Sequence, residues 1–282
     1  MKLIVLLALL AFISFNIYKA NRNTKDIKIN KIALDQNNGN HPVLRILHLS
    51  DLHLENISIT PNELYQKVKE ESFDIIALTG DFLDRKWTIP KLIPYLEVFN
   101  QLQPKYGIYA VLGNHDYVLK EKNLENLVNT LKQYNCQVLR NENAEILVDG
   151  RRVNIIGIDD FSTKRSDLDA SFKGTKSGYN LVLTHDPNVV LQMKHYYFDY
   201  LLAGHFHGGQ ICYPKAYHLF KMGKLVRMNM IKGLQMHDNK PFYISEGLGQ
   251  TGINIRVGSR PEMTIHECSI TVCSESQNRT AI

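Results

Sequence analysis

Cysteine is scarce and irregularly placed. Cys136, Cys212, Cys268 and Cys273 form no CxxC pair and no regular framework, so neither a disulfide scaffold nor a closed thiolate zinc site is expected. Internal repeats and low-complexity tracts are absent, which excludes solenoids and biased-composition tails. A strong excess of one charge is missing as well. The formal net charge of +5 permits attraction to phosphate or to an anionic membrane but requires neither, and no nucleic-acid partner is expected. With 44% hydrophobic and 22% charged residues, the chain has ordinary globular composition apart from its N-terminus. Its 282 residues suffice for one large domain or two small ones.

That N-terminus is distinctive. Leu3 to Tyr18 is almost wholly apolar. As a helix it covers about 24 Å at ~1.5 Å per residue, short of a hydrocarbon core of about 30 Å. A short membrane anchor and a cleaved signal peptide both fit. No small-x-small cleavage site or lipobox-type cysteine follows, which favours an anchor over residues 1–20 at the inner membrane. Lys19, Arg22, Lys25 and Lys28 come after the run and only Lys2 before it, so the positive-inside rule puts the following domain in the cytoplasm, with export as the alternative.

Residues 21–42 read as a polar linker, residues 43–273 as the globular domain and residues 274–282 as a polar tail. Within the domain, strand-like runs alternate with helical patterns over Asn62 to Glu71, Ile89 to Leu102, Glu121 to Asn135 and Pro187 to His195. That alternation implies a layered α/β architecture. Leu124, Leu127, Val128 and Leu131 keep helical spacing and form a core face. Asp149-Gly150 reads as the turn of a hairpin spanning Glu145 to Ile158. Pro241 to Cys268 is strand-rich, with Gly247, Gly249 and Gly252 as turns; no helix follows these glycines, so they are not a dinucleotide fingerprint.

One tetrapeptide organises the rest. The apolar run Ile108-Tyr109-Ala110-Val111-Leu112 ends in Gly113-Asn114-His115-Asp116. Similar runs end in Asp51-Leu52-His53, Gly80-Asp81, His185-Asp186 and Gly204-His205-Phe206-His207-Gly208-Gly209. Ligands bind beyond the carboxyl ends of strands in open α/β sheets, so these side chains belong to one site. Asp51, His53, Asp81, Asn114, His115, His185, His205 and His207 make a mixed nitrogen and oxygen set. It suits Mn, Fe or Zn better than Ca or Mg. The donors are too many for one ion and fit two divalent metals.

In this order the motifs resemble the calcineurin-like metallophosphoesterase superfamily over about Leu47 to Gly209. His205-Phe206-His207-Gly208-Gly209-Gln210, Ser245-Glu246-Gly247-Leu248-Gly249 and Arg260-Pro261-Glu262 look closest to its YaeI-type bacterial phosphodiesterases, which are similar to enzymes hydrolysing UDP-2,3-diacylglucosamine in lipid A synthesis. The resemblance implies a four-layer α/β/β/α sandwich. It further implies that Asp51, His53 and His207 hold one metal, that Asn114, His185 and His205 hold the other, and that Asp81 bridges them. His115 becomes the catalytic histidine at the phosphoryl group or leaving oxygen, with Asp116 orienting it; Arg85 is a candidate phosphate contact. His48 reads as a core residue, whereas His41, His195, His218, His237 and His266 match no motif position.

Tyr213 to Leu234 mixes Lys215, Lys221, Lys224, Arg227 and Lys232 with aromatic, leucine and methionine side chains. It reads either as a lipid-contacting segment or as an ordinary loop with a solvated basic face. The expected activity is hydrolysis of a phosphoester at the membrane, with UDP-2,3-diacylglucosamine, a nucleotide-sugar lipid, the leading substrate. General phosphodiesterase action on soluble substrates and a non-catalytic scaffold are the alternatives.

Overall fold

The computed structural model describes residues 1–34 and 41–270. Helix α1 (Lys2–Arg22) is followed by strands β1 (Lys28–Leu34) and β2 (Val43–Leu49), helix α2 (Pro61–Val68) and β3 (Ile75–Thr79). Next come α3 (Ile89–Gln101), β4 (Ile108–Val111), α4 (Glu121–Gln133), β5 (Cys136–Val138), β6 (Glu142–Val148) and β7 (Arg151–Gly157). The remainder comprises α5 (Leu168–Phe172), β8 (Tyr179–Leu183), β9 (Tyr200–Ala203), α6 (Lys224–Arg227), β10 (Gly233–His237), β11 (Lys240–Ile244) and β12 (Glu262–Ser269).

Two six-stranded sheets result, ordered β1-β12-β2-β3-β4-β5 and β10-β11-β9-β8-β7-β6. Strands β2 to β5 run parallel, as do β7, β8, β9 and β11. Alternation along each strand decides the layers. Ile46, Ile75, Ala77, Tyr109 and Val111 of the first sheet meet Val153, Ile155, Leu181, Leu183 and Leu202 of the second. The intervening Leu47, Leu49, Ile76, Leu78 and Ala110 turn outward to a cluster with Leu64, Leu92, Leu96, Leu127 and Leu131 of helices α2 to α4. On the other sheet, Val182, Leu201 and Phe242 pack under Val189, Leu219 and Leu225, so the expected four layers are present. Each buried Leu or Val contributes about 1.5–3 kcal/mol, which makes the strands rigid supports for the loops at their ends.

Local chemistry explains the elements. Thr60 and Glu63 form a reciprocal capping box that starts α2, with Pro61 in its first turn. Asp149 (φ 47°) and Gly150 (φ 81°) form the tight turn that registers Val148 opposite Arg151. The expected α4 face is present: Leu127 and Leu131 are buried, and Leu124 and Val128 pack beside them.

Several expectations need correction. The stretch read as linker contains β1, an edge strand pairing in parallel with β12 from Lys28↔Glu262 to Leu34↔Cys268. The apolar N-terminal run extends as helix to Arg22, 21 residues or about 32 Å at ~1.5 Å each, long enough to cross a membrane. Pro187–Gln192 is a 3-10 helix rather than an α-helix reaching His195. The side chain of Asn188 there bonds Asp186 Oδ1 (2.7 Å) and the Met222 carbonyl (2.9 Å), competing with α-helical geometry. Between β11 and β12 the chain is mainly a long loop, Ser245 to Pro261, rather than continuous strand. The tail at 274–282 and Cys273 lie outside the described residues.

Candidate active site

Parallel strands of both sheets discharge at one edge, and the predicted ligands follow them. Asp51 and His53 follow β2, Asp81 follows β3, Asn114 and His115 follow β4, His185 follows β8, and His205 and His207 follow β9. Asp51, His53, Asp81, His205 and His207 all have positive φ, from 40° at His53 to 78° at His205. Non-glycine residues rarely hold that conformation, and it concentrates where function demands it. The loops are fastened accordingly. The Asp51 N–H donates to the Gly80 carbonyl at 3.0 Å and the His53 N–H to the Asp81 carbonyl at 3.0 Å. The Ser50 hydroxyl donates to Asp51 Oδ2 at 2.6 Å.

The side chains fall into two groups joined by Asp81. In one, Asp51 Oδ1 lies 3.3 Å from His207 Nε2, and His53 Nε2 lies 3.1 Å from the same nitrogen. In the other, His185 Nε2 lies 3.2 Å from His205 Nδ1. Asp81 Oδ2 reaches both, 3.5 Å from His53 Nε2 and 3.0 Å from His185 Nε2. His185 Nδ1 donates to the Thr79 carbonyl at 2.7 Å, which turns Nε2 into the site. Asn114 Oδ1 is buried without a hydrogen-bond partner and borders the same cavity. An orphaned amide oxygen, crowded imidazole nitrogens and a shared carboxylate fit two divalent cations.

Electrostatics agree. Burial pushes His53 down to about 3, with Asp81 opposing, and pushes His205 and His207 down as well, so these rings are neutral donors at physiological pH. Burial works against charge on His185 too, but Asp81 outweighs it and raises this histidine well above its usual value. Burial likewise opposes ionisation of Asp81, yet His185 and His53 hold it below the ordinary carboxylate range. Without metal, a proton on His185 balances the charge of Asp81.

His115 stands at the rim, its ring edge-on to His53 with centroids 4.8 Å apart. Asp116 does not orient it. The Asp116 carboxylate accepts N–H groups from Asp81 (3.0 Å), Phe82 (2.9 Å), Leu83 (3.2 Å) and Gly113 (2.9 Å), binding the β3 and β4 loops together. The carboxylate facing His115 is Asp84, whose Oδ2 is 3.8 Å from Nδ1. Glu55 Oε1 in turn accepts the backbone N–H groups of Asp84 (3.2 Å) and Arg85 (3.0 Å). Arg85 lies outside the cavity lining, with its guanidinium 5.4 Å from the centroid of the Trp87 ring. His48 is a buried core residue, as expected, bonded to Thr79 Oγ1 at 2.8 Å. His266 is buried beside it and bonds the Tyr200 hydroxyl at 2.9 Å.

The cavity over these groups holds about 310 Å³ and has an apolar far wall of Ile211, Leu219, Met222 and Ile253. His218 lines it too, although its sequence position matches no motif. Sequence reasoning also missed Arg256. This fully buried guanidinium donates to the carbonyls of Glu246 (2.8 Å), Arg260 (2.9 Å), Gly247 (3.0 Å) and Gly249 (2.7 Å). Gly247 packs on Asp51 and Gly249 on Leu52, so Arg256 fixes the floor beneath the first ligand group. It lies between the Ser245–Gly249 and Arg260–Glu262 motifs but belongs to neither.

Comparison with known proteins gives the family. Residues 44–209 match the family model described as calcineurin-like phosphoesterase. The chain is 62% identical over 263 residues to the uncharacterized metallophosphoesterase YkoQ of Bacillus subtilis, covering 93% of this chain and 97% of that protein. It is 27% identical over 283 residues to the UDP-2,3-diacylglucosamine pyrophosphatase LpxG of Chlamydia trachomatis, covering 80% of this chain and 83% of that one. The crystal structure of calcineurin-like phosphoesterase YfkN from Bacillus subtilis superposes with a TM-score of 0.45 at 15% identity, over 84% of this chain and 95% of that chain.

Proposed function

Because the chain belongs to the calcineurin-like phosphoesterase family and is a metal-dependent hydrolase, we propose that its substrate is a phosphodiester or pyrophosphate carrying an apolar group, met at a membrane. The observation that carries this reading is the juxtaposition of the ligand groups with the wall of Ile211, Leu219, Met222 and Ile253. A phosphoryl group at the ligands leaves its substituents against that wall. UDP-2,3-diacylglucosamine, cleaved to UMP and 2,3-diacylglucosamine 1-phosphate, is the specific candidate; the likeness to LpxG supports it. Small soluble diesters are the second reading, favoured by the modest cavity of about 310 Å³.

Asp51, His53 and His207 would hold one ion, and Asn114, His185 and His205 the other, with Asp81 shared. Mn, Fe and Zn all suit this shell. Bound there, the ions supply Lewis-acid charge for the phosphoryl oxygens and a water of lowered pKa as nucleophile. The chain supplies the rest. His115 lines the cavity at the edge of the ligands and gives a proton to the leaving oxygen, with the Asp84 carboxylate 3.8 Å from its Nδ1. The neutral amide of Asn114 limits negative charge facing an anionic substrate, and the apolar wall excludes bulk water.

The helix α1 anchors the domain, on the cytoplasmic face by the excess of basic residues in its last turn and just after it. Full-length protein loaded with manganese is assayed on bis-p-nitrophenyl phosphate, p-nitrophenyl phosphate and UDP-2,3-diacylglucosamine, with Asp81→Asn as the inactive control. Release of UMP much faster than cleavage of the chromogenic diester supports the nucleotide-lipid candidate. Turnover of the small diester alone overturns it in favour of the second reading.

A further inference from the structure

The end of α1 does not lead away from the catalytic mouth but is tied into its wall. The Ala20 carbonyl accepts the Arg256 N–H at 2.9 Å. Asn21 Nδ2 donates to the Asn254 carbonyl and Asn23 Nδ2 to the Arg256 carbonyl, both at 2.8 Å. Thr24 bonds Ser58 at 2.8 Å, and Ser58 bonds Asn254 at 3.1 Å. The opposite side of this loop holds the residues after the last ligand motif. Gln210 Nε2 donates to the carbonyls of Thr251 (3.0 Å) and Ile253 (3.1 Å). Cys212 donates its N–H to the Val257 carbonyl at 2.6 Å, and Ile211 forms a bridge with Val257.

Helix end, loop and the start of the basic segment are therefore one stitched surface. Position along the helix sets its depth. Asn21 lies three residues beyond Tyr18, the last residue of the apolar run, or about 4.5 Å along the axis at ~1.5 Å per residue. A loop clamped there is held at the level of lipid headgroups. On this rim Ile253 (67%), Tyr213 (80%), Tyr217 (68%) and Phe220 (61%) are exposed, and Arg227 lies 5.4 Å from the centroid of the Phe220 ring. Single exposed apolar side chains are ordinary, but several on the same segment whose Ile211, His218, Leu219 and Met222 line the cavity mark a contact surface. Lys215, Lys221, Lys224 and Arg227 accompany them, and from Ile211 to His237 there is no Asp or Glu. Aromatic rings interleaved with cations and free of acids match an anionic lipid face.

We propose that this rim, Ile211 to Arg227 with Ile253, seats on the anionic face of the bilayer that α1 enters, so that the metal cavity opens among headgroups. The occupant is the lipid surface, not a second copy of the chain or an acidic protein. The inference rests on the rim and the anchor and requires no particular substrate.

The test uses the full chain, one copy per nanodisc, with Trp87→Phe removing the native tryptophan and lipids brominated on the acyl chains. Phe220→Trp reports the rim and Phe12→Trp reports the anchor; both sites are exposed, so neither change disturbs the fold. Phe12→Trp is expected to be quenched in every disc. Phe220→Trp is expected to be quenched in discs containing phosphatidylglycerol and several-fold less in pure phosphatidylcholine. Changing Lys221, Lys224 and Arg227 to Gln removes that lipid dependence. An unquenched Phe220→Trp beside a quenched Phe12→Trp shows a rim facing away and overturns the proposal. So does quenching that ignores both lipid charge and the triple variant. Shielding of Phe220→Trp only in discs holding two chains assigns the rim to a second copy and overturns it as well. Fluorescence reads none of the hydrolysis, so failure here leaves the hydrolase reading intact, and an inactive enzyme leaves this reading intact.

Discussion

His115 Nδ1 stands 3.8 Å from Asp84 Oδ2, although Asp116 is its neighbour in sequence. The two aspartates therefore have different surroundings, one facing the His115 ring and one bonded to the backbone of two loops. Asp84→Asn removes a charge 3.8 Å from the His115 ring but no hydrogen bond, and is expected to lower kcat by no more than about tenfold, the low end for a carboxylate beside a functional histidine, with KM and melting temperature nearly unchanged. Asp116→Asn is expected to cost about 3 kcal/mol in denaturant unfolding, because several buried N–H groups lose their acceptor. Wild-type kcat in Asp84→Asn would show the pairing to be incidental.

Metal and a proton compete for His185. Burial works against a proton there, but Asp81 raises the pKa well above its usual value and so favours a proton in the metal-free protein. Manganese uptake at pH 7 should release about one proton, measured by calorimetry in buffers of different ionisation enthalpy. The sign is fixed by that release: binding strengthens as pH rises and weakens about tenfold per pH unit on the acid side of the raised pKa. No proton release means that His185 is already neutral.

Chelation should also destabilise the fold. Metal at 100 times its dissociation constant adds about 2.7 kcal/mol of stability per site, so EDTA is expected to lower the melting temperature and manganese to restore it. An unchanged melting curve argues that the site is structurally complete without ions.

Gly113 tolerates no side chain for reasons of space. A Cβ there would meet the Asp81 carboxylate, the Asp81 nitrogen at 2.7 Å and His185 Cγ at 2.8 Å. Gly113→Ala is expected to reduce bound metal from two ions towards one and to cost about 1–3 kcal/mol through overpacking. Metal analysis and thermal unfolding check both, and full occupancy would show that the loop yields.

Arg256 supports the same site from below. Burial pushes its pKa down to about 10, with Glu246 and Asp51 opposing, so it remains charged at neutral pH. Arg256→Met leaves carbonyls of the Gly247 loop unpaired and is expected to cost about 3–4 kcal/mol at roughly 1 kcal/mol per bond. Arg256→Lys should recover part of that loss. Equal stability of both variants and wild type would remove Arg256 from the support of this loop.

The parallel core strands and the cluster of imidazoles and carboxylates at their ends were legible because their signals are local. Apolar runs announce buried strands, and imidazoles or carboxylates at their ends announce a site. Position in space, unlike spacing in sequence, was not legible. Asp116 is adjacent to His115 along the chain, but the turn after Val111 sends its carboxylate back to Phe82 and Leu83. The strand β1 escaped because Lys28, Asn30 and Lys31 give it the polarity of a linker, and only pairing with distant residues makes it a strand. The left-handed backbones of Asp51, His53 and His207 are imposed by the neighbouring loops, which no single stretch records.

The position of β12 orders the assembly of the molecule in time. It lies between β1 and β2, pairing Thr264 with both Asn30 and His48. The strands on either side emerge first during synthesis, but the slot between them stays vacant until residues beyond 262 arrive. The nascent chain thus passes through a stage in which its first sheet is split and the edges of β1 and β2 are unpaired. Stalled or truncated translation products would share that open sheet, which makes them targets for chaperones or edge-to-edge aggregation rather than partly active hydrolases.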